Sequence, residues 1–307
     1  MISRICQIII NLIGVSFLAF LLIHIAPGDP ASTMFESAGI IPTQEEIQVA
    51  REIMGLDKPF INQYIDWISN YISGDFGESI SKRVPVLDLI TTRIKATILL
   101  SSTSLIIMII VSIPLGIFAA LNKNKFVDKL VSGLNFLGVS APSFWVGVMF
   151  IYIFGFVLNL VPVMSTGFGF DRIILPAITL AIPMAAKYSM QVRTTILEEM
   201  NQDYVIGARS RGLSSKKILF RHILPNAMLP LVTMLGLSIG SLLGGTAVIE
   251  VIFFYPGIGS LVVDAVSARD YPLIQALVLW IALVYMILNL IVDVSYKFID
   301  PRTRERK

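Results

Sequence analysis

The stretch "DYVIGARSRGLSSKKILFRHILPNAMLP", Asp203–Pro230, decides how this chain is read. It carries Asp203, Arg209, Arg211, Lys216, Lys217 and Arg221, in a chain that is otherwise strongly apolar. With Arg193, Glu198 and Glu199 just upstream, nine charges lie between Arg193 and Arg221. A basic residue or an aspartate at the centre of a membrane-spanning helix costs about 2.5–3.5 kcal/mol. The segment is therefore predicted to stand outside the lipid. Tyr204, Ala208 and Arg211 share one helical face by the i, i+4, i+7 rule. Gly212 suits a left-handed turn, Ser214 suits the cap of a second helix, and Pro225 is expected to mark that helix's end. The reading is a helix-turn-helix bracket too short to form its own core. Its apolar residues must pack on a membrane bundle or on another protein.

The rest of the chain supplies that bundle. Only 15% of the 307 residues are charged and 55% are hydrophobic, with a mean hydropathy of +0.78. Average soluble domains carry about 25% charge. Here long apolar runs alternate with charged blocks, the pattern of a polytopic membrane protein. The spans are expected at about Ile5–Ala26, Thr97–Leu121, Leu134–Leu160 (interrupted near Ala141-Pro142), Ile173–Ile196, Ala227–Ile249 and Leu273–Tyr296. Residues 1–26 form the first span, residues 27–96 an extracytoplasmic segment with amphipathic helices, and residues 97–307 a five-helix core with a cytoplasmic segment at 197–225. The first apolar stretch exceeds the ~7–15 residues of a signal-peptide core, and no A-x-A-like site follows it. An uncleaved helix is the better reading.

Lysine and arginine set the orientation. One side would hold Arg4, Lys123, Lys125, Lys129, the bracket's basic residues and the C-terminal run Lys297–Lys307. The two short opposite connections hold only Arg172 and Arg269. Both termini are thus expected in the cytoplasm. In the long outer segment, Thr43 and Glu46 have capping-box spacing and Gly55 can end the helix between them. "PFINQYIDWISNYI" then places Phe60, Tyr64, Trp67, Ile68 and Tyr71 on one face. That face either packs on the bundle, lies in the interface, or helps dock a partner.

The order of residues in the bracket resembles the cytoplasmic signature of ABC importer permeases, in the version of the dipeptide, oligopeptide and nickel branch. Gly212 and Leu224-Pro225 hold the family spacing, and Ala208 fits the second alanine of the motif. Ile206 and Gly207 depart from its glutamate and first alanine. "HIAPGDPA", "MGLDKPFINQYIDWISNYISGDFGES", "SAPSFWVGVMF" and "EVIFFYPGIGSLVVDAVSARDYPLIQA" extend the resemblance over nearly the whole chain. It implies an all-α integral membrane protein with six transmembrane helices, the type I permease core of ABC importers. It further implies a bacterial cytoplasmic-membrane location. The expected partners are a second homologous permease, two ABC ATPase subunits, an extracytoplasmic substrate-binding protein and membrane lipid, with no nucleic acid. The bracket would be the coupling helix, touching an ATPase through Tyr204, Ala208, Arg209, Arg211, Leu213 and Arg221, with Gly212 as its turn and Pro225 at its end.

No bond-changing chemistry is visible. There is no G-x-x-x-x-G-K-[ST] loop, and neither "GFGFDR" nor "PGIGSL" has the third glycine of a dinucleotide site. No cofactor is expected in this chain; ATP and Mg would sit on the partner ATPases. A lone Cys6 and two histidines, His24 and His222, speak against a metal site and against a histidine-built nickel chelate. Short peptides are the leading substrate, nickel or a metal chelate the alternative. A carrier working without ATPases would keep ionisable groups inside the bilayer. Its candidates, Lys187 and Asp293, lie near span ends. Gly236, Gly240 and Gly244 are read as helix packing or pathway lining. Pro256, Gly257 and Gly259 are read as a tight outer turn, a lid or a docking site.

Overall fold

The structure is a computed structural model, and it describes residues 2–25, 28–37, 39–161 and 169–299. Thus Gly167 and Phe168 of "GFGFDR" and the basic residues Arg302–Lys307 lie outside the described residues. Among the described residues the chain is helical, with one isolated β-bridge between Glu78 and Pro85. The helices are α1 (Ile2–Ile25), α2 (Pro30–Ser37), α3 (Gln44–Ile53), α4 (Phe60–Ile72), α5 (Val86–Leu121), α6 (Phe126–Ser140), α7 (Ser143–Phe150), α8 (Phe170–Met200), α9 (Asp203–Ser210), α10 (Ser215–Ile218), α11 (Leu224–Ile252), α12 (Ile258–Ser267) and α13 (Tyr271–Ile299). Wider π-helical turns follow α7 at Ile151–Val157 and α10 at Leu219–Ile223.

Four of these helices contain stretches long and apolar enough to cross a bilayer: Cys6–Ile25, Val86–Leu121, Arg172–Met200 and Tyr271–Ile291. Two bent pairs bring the number up to six if each is one span. Phe126–Ser140 and Ser143–Val157 meet at 97°, and Ser215–Met228 and Pro230–Gly236 at 45°. The first bend falls at Ala141-Pro142, where the sequence predicts an interruption. Ala141 is extended (ψ 123°), as the residue before a proline prefers. α6 begins at Phe126, ahead of the apolar stretch expected from Leu134, and its first turn carries Asp128.

Two compact units divide the chain. The first comprises Met1–Ala96 and Pro256–Ile287, so residues 256–287 group with the N-terminal third rather than with the rest of 97–307. Its core sets Val86 and Ile90 of α5 against Leu261 and Ala265 of α12 and Leu273, Ala276 and Leu277 of α13. Thr43 and Glu46 form the predicted capping box on α3, and Gly55 turns left-handed (φ +68°) beyond its end. The aromatic face of α4 packs on α1: Phe60, Tyr64 and Trp67 surround Phe20 at ring separations of 5.3–5.6 Å. The Ser16 and Tyr64 hydroxyls share a 2.8 Å hydrogen bond. His24 is bound structurally, to the Phe20 carbonyl and the Gln63 side chain, both at 2.9 Å.

Asp270, fully buried, organises the loop before α5. It accepts from Ser79 Oγ at 2.5 Å, Ser81 Oγ at 2.7 Å, Ser81 N at 3.0 Å, Ile80 N at 3.2 Å and Leu273 N at 3.3 Å. Each donor offsets part of the penalty of burying a carboxylate.

The second unit comprises Thr97–Tyr255 with Leu288–Lys307, and α8 runs through its centre. Tyr188, Val192 and Ile196 of α8 are buried, and Tyr188 Oη donates to the Leu231 carbonyl of α11 at 2.6 Å. Two glycines let neighbouring helices approach α8. A Cβ on Gly116 of α5 would lie 2.6 Å from Val192 Cβ and 2.8 Å from the Ser189 carbonyl. One on Gly138 of α6 would lie 2.9 Å from Ala186 Cβ. Close approach of this kind is how helices gain packing contact in lipid.

Candidate functional site

The bracket hangs between α8 and α11. α9 closes in a Schellman motif: Gly212 N donates to Arg209 O at 2.9 Å and Leu213 N to Ala208 O at 3.3 Å. This geometry demands a left-handed residue after the cap, and Gly212 supplies it at φ +77°. Ser214 then caps α10, accepting from Lys217 N at 3.4 Å. The expected turn and cap are both present.

Pro225 does not end the second helix. The chain stays helical from Ser215 to Ile252, and Pro225 sits in the first turn of α11. The reason is the π-turn ahead of it, in which Leu224 N reaches back five residues to Leu219 O. A wider turn displaces the carbonyl that a proline ring would strike in a regular α-helix.

The bracket has two faces. Val205, Ala208, Ile218, Leu219 and Ile223 point inward and are buried with Tyr188, Val192, Ile196 and Met108. Burying each larger side chain is worth roughly 1.5–3 kcal/mol. Ala208 is only 1% exposed, so its expected place in a contact surface is corrected: a small side chain there lets α9 lie close on its own bundle. Leu213 packs, half-buried, against this cluster. The outward face consists of Tyr204, Ile206 (55% exposed), Arg209, Arg211, Phe220 (66% exposed) and Arg221.

Local hydrogen bonds hold parts of that outward face. Tyr204 Oη donates to a Glu199 carboxylate oxygen, and Arg211 Nε donates to Gly207 O at 3.2 Å. Partial burial raises the Tyr204 phenol above its ordinary pKa, and the Glu199 contact adds to the rise. The hydroxyl thus keeps its proton at neutral pH. The bracket's exposed side chains are thus both apolar and cationic, on a base anchored by its own core. Sequence periodicity did not single out Ile206 and Phe220. Their signal is a large apolar side chain flanked by charge in a segment that cannot enter lipid.

Residues 112–305 match the family model described as "Binding-protein-dependent transport system inner membrane component", and residues 1–101 match its N-terminal companion. The chain belongs to this family of ABC importer permeases. The permease is 39% identical to the glutathione transport system permease protein GsiC of Escherichia coli K12 over 99% of this chain and 98% of that protein. The Shigella dysenteriae GsiC gives the same figures. Among solved structures, an inward-facing MetNI methionine ABC transporter chain superposes with a TM-score of 0.59 at 14% identity, covering 70% of this chain and 97% of that one. At that identity the likeness concerns the fold. The permease is a multi-pass inner-membrane protein of the dipeptide, oligopeptide and nickel group, and its role is transport.

Elsewhere in the permease, Gly236, Gly240 and Gly244 all lie in α11 and Gly236 is buried. The surroundings of Gly240 and Gly244 lie outside what the structure describes. The glycines shown in close helix contact are Gly116 and Gly138. α11 ends at a left-handed Phe254 (φ 52°), with Tyr255 N donating to Glu250 O at 2.7 Å and Phe254 N to Val251 O at 3.2 Å. The reversal thus precedes "PGIG". Gly257 caps α12, and both Gly257 and Gly259 are buried while Pro256 is half-buried. They belong to a packed turn, which corrects the expectation of a free lid.

Lys187 is exposed on α8, and the Asp293 side chain lies outside the described residues. A buried carboxylate that sequence reading missed is Glu250. It is fully buried in α11 and accepts from Thr97 Oγ1 of α5 at 2.8 Å.

Proposed function

We propose that this permease forms half of the translocation pathway of an ATP-driven importer for short peptides, working by alternating access. Six spans place both termini in the cytoplasm, with segment 197–225 on the same side. A second homologous permease completes the pathway, and an extracytoplasmic binding protein delivers the substrate. Two separate ABC ATPases, which hold ATP and Mg, dock on the brackets. Closure of the ATPases draws the brackets together and opens the pathway outward; hydrolysis returns it inward. This chain itself breaks no bond and holds no cofactor.

The observation that carries the coupling role is the two-faced bracket. Its inward residues are committed to this chain's core, while Ile206 and Phe220 stay exposed between Arg209, Arg211 and Arg221. An apolar anchor ringed by cations matches the composition of a protein interface hot spot. Phe220→Asp is expected to reduce co-purification of the ATPase subunit by about tenfold or more, with membrane insertion unchanged. Undiminished recovery of the ATPase would remove the docking role from this face.

The peptide reading is supported by the relatives named for transport of glutathione, a tripeptide. Substrate choice in such systems rests mainly with the binding protein. Mass spectrometry of the ligand that co-purifies with that protein is expected to find a short peptide. A nickel chelate there would replace the peptide reading. Active uptake by the purified chain alone would replace the ATP-driven one.

A further inference from the structure

The second unit contains an ion pair, its carboxylate buried and its guanidinium half-buried, that neither the family assignment nor the bracket explains. Asp128, in the first turn of α6, is 4% exposed. It accepts from Arg193 of α8 through two bonds, Nε at 2.6 Å and Nη2 at 2.8 Å, and from the Asn124 amide at 2.8 Å. This pair is one rung of a ladder. Asn135 Nδ2 donates to Ser189 Oγ at 3.1 Å, and Gly138 closes on Ala186. The α6 positions 128, 135 and 138 thus meet the α8 positions 193, 189 and 186 in antiparallel order. Residues 186, 189 and 193 form one stripe of α8 by i, i+3 and i+7 spacing. Residues 188, 192 and 196 form a second stripe, buried in one hydrophobic cluster with Val205, Ala208 and Ile218 of the bracket.

We propose that Asp128 and Arg193 are positioning residues that lock α6 to α8 in one register, so that displacement of the bracket moves both helices together. The proposal rests on the bracket being the coupling segment. A glycine contact permits close approach yet tolerates sliding. A bidentate guanidinium–carboxylate pair does not, because its fork fixes both distance and angle. A partly buried pair adds little net stability, and fixing register is the best-attested use of such pairs inside a fold. A slip of one helical turn, 5.4 Å, would break the pair and the Asn135–Ser189 bond together.

The lock also has somewhere to send the motion. α6 leads through the Ala141-Pro142 bend into α7. There a Cβ on Gly147 would lie 3.2 Å from the Phe253 ring and 3.6 Å from Ile252, at the end of α11 opposite the bracket. The bent pair thus joins the driven helix to the far end of α11.

The test uses the whole transporter in proteoliposomes, with its binding protein as purified, and reads the ratio of ATP hydrolysis with and without that protein. Asp128→Asn and Arg193→Gln are each expected to lower this ratio by about fivefold or more. The exchange D128R/R193D is expected to restore most of it. An unchanged ratio in the single variants overturns the proposal, and so does a lowered ratio that the exchange fails to rescue. A second measurement does not depend on how the single variants fold. Asn135→Cys with Ser189→Cys, in a Cys6→Ser background, is cross-linked by a short bis-thiosulfonate reagent. If α6 and α8 move as one body, the cross-linked transporter keeps its ratio; loss of stimulation on cross-linking overturns the proposal. Failure of the coupling reading is separable, because it would show as normal stimulation in Gly212→Val.

Discussion

Gly212→Val is expected to abolish uptake while the permease still inserts and folds its spans. Gly212 holds φ +77°, where an L-residue pays about 1–2 kcal/mol and a β-branched one more. A Cβ at this position meets nothing within 4 Å, so the penalty is one of backbone conformation and not of space. The expected ranking follows from that distinction. Asparagine, which visits the left-handed region readily, keeps most of the transport. Alanine is intermediate. Valine expels the turn from its conformation, breaks the Leu213–Ala208 and Gly212–Arg209 hydrogen bonds, and misaligns α10 against α9. The measurement is substrate accumulation in membrane vesicles, beside immunodetection of the inserted chain. Valine and asparagine variants with equal, normal uptake would show that the bracket's angle is irrelevant to transport.

The largest loss of stability is expected from Asp270→Ala. Five donors converge on this carboxylate from residues 79, 80, 81 and 273. Removing it leaves buried donors without their acceptor, which costs about 3–5 kcal/mol by analogy with breaking a buried ionic contact. The loop it organises carries Lys82 and Arg83. Release of that loop is expected to open a new tryptic cleavage site at one of them, together with a lower thermal midpoint for the detergent-purified chain. Tryptic resistance and a midpoint equal to the parent's would show that Ser79 and Ser81 find other partners. Asp270→Asn is expected to fall between, because its amide offers one acceptor oxygen where the carboxylate offers two.

What could be read beforehand was local. The Thr43–Glu46 box, the Gly55 stop, the Gly212 turn and the Ser214 cap are each decided within a few residues, by backbone conformation and short-range hydrogen bonding. The break at Ala141-Pro142 is of the same kind. The expectation that the bracket stands outside the lipid is of another kind, resting on charge per residue alone. Contacts between distant residues stayed hidden. Asp128 and Arg193 are 65 positions apart, Ser79 and Asp270 are 191 apart, and nothing in either flank announces its partner. The close glycine contacts stayed hidden for a related reason. Four-residue spacing in α11 drew attention to Gly236, Gly240 and Gly244. Gly116 and Gly138 are isolated in sequence, and only a neighbouring helix reveals their purpose. Pro225 was read by the rule for regular helices, and a single widened turn suspends that rule. Glu250 sits so close to the outer aromatic turn that it reads as a boundary residue, although it is enclosed.

The division of labour between the bracket's two sides constrains how such a transporter can change. Substitutions at Val205, Ala208 or Ile218 are judged by this polypeptide's interior, whatever motor is attached. Under the proposed docking, substitutions at Ile206, Phe220 or the three arginines are judged by the ATPase partner instead. A permease built this way can drift into compatibility with a new engine through a handful of surface positions, while the machinery beneath them is inherited intact.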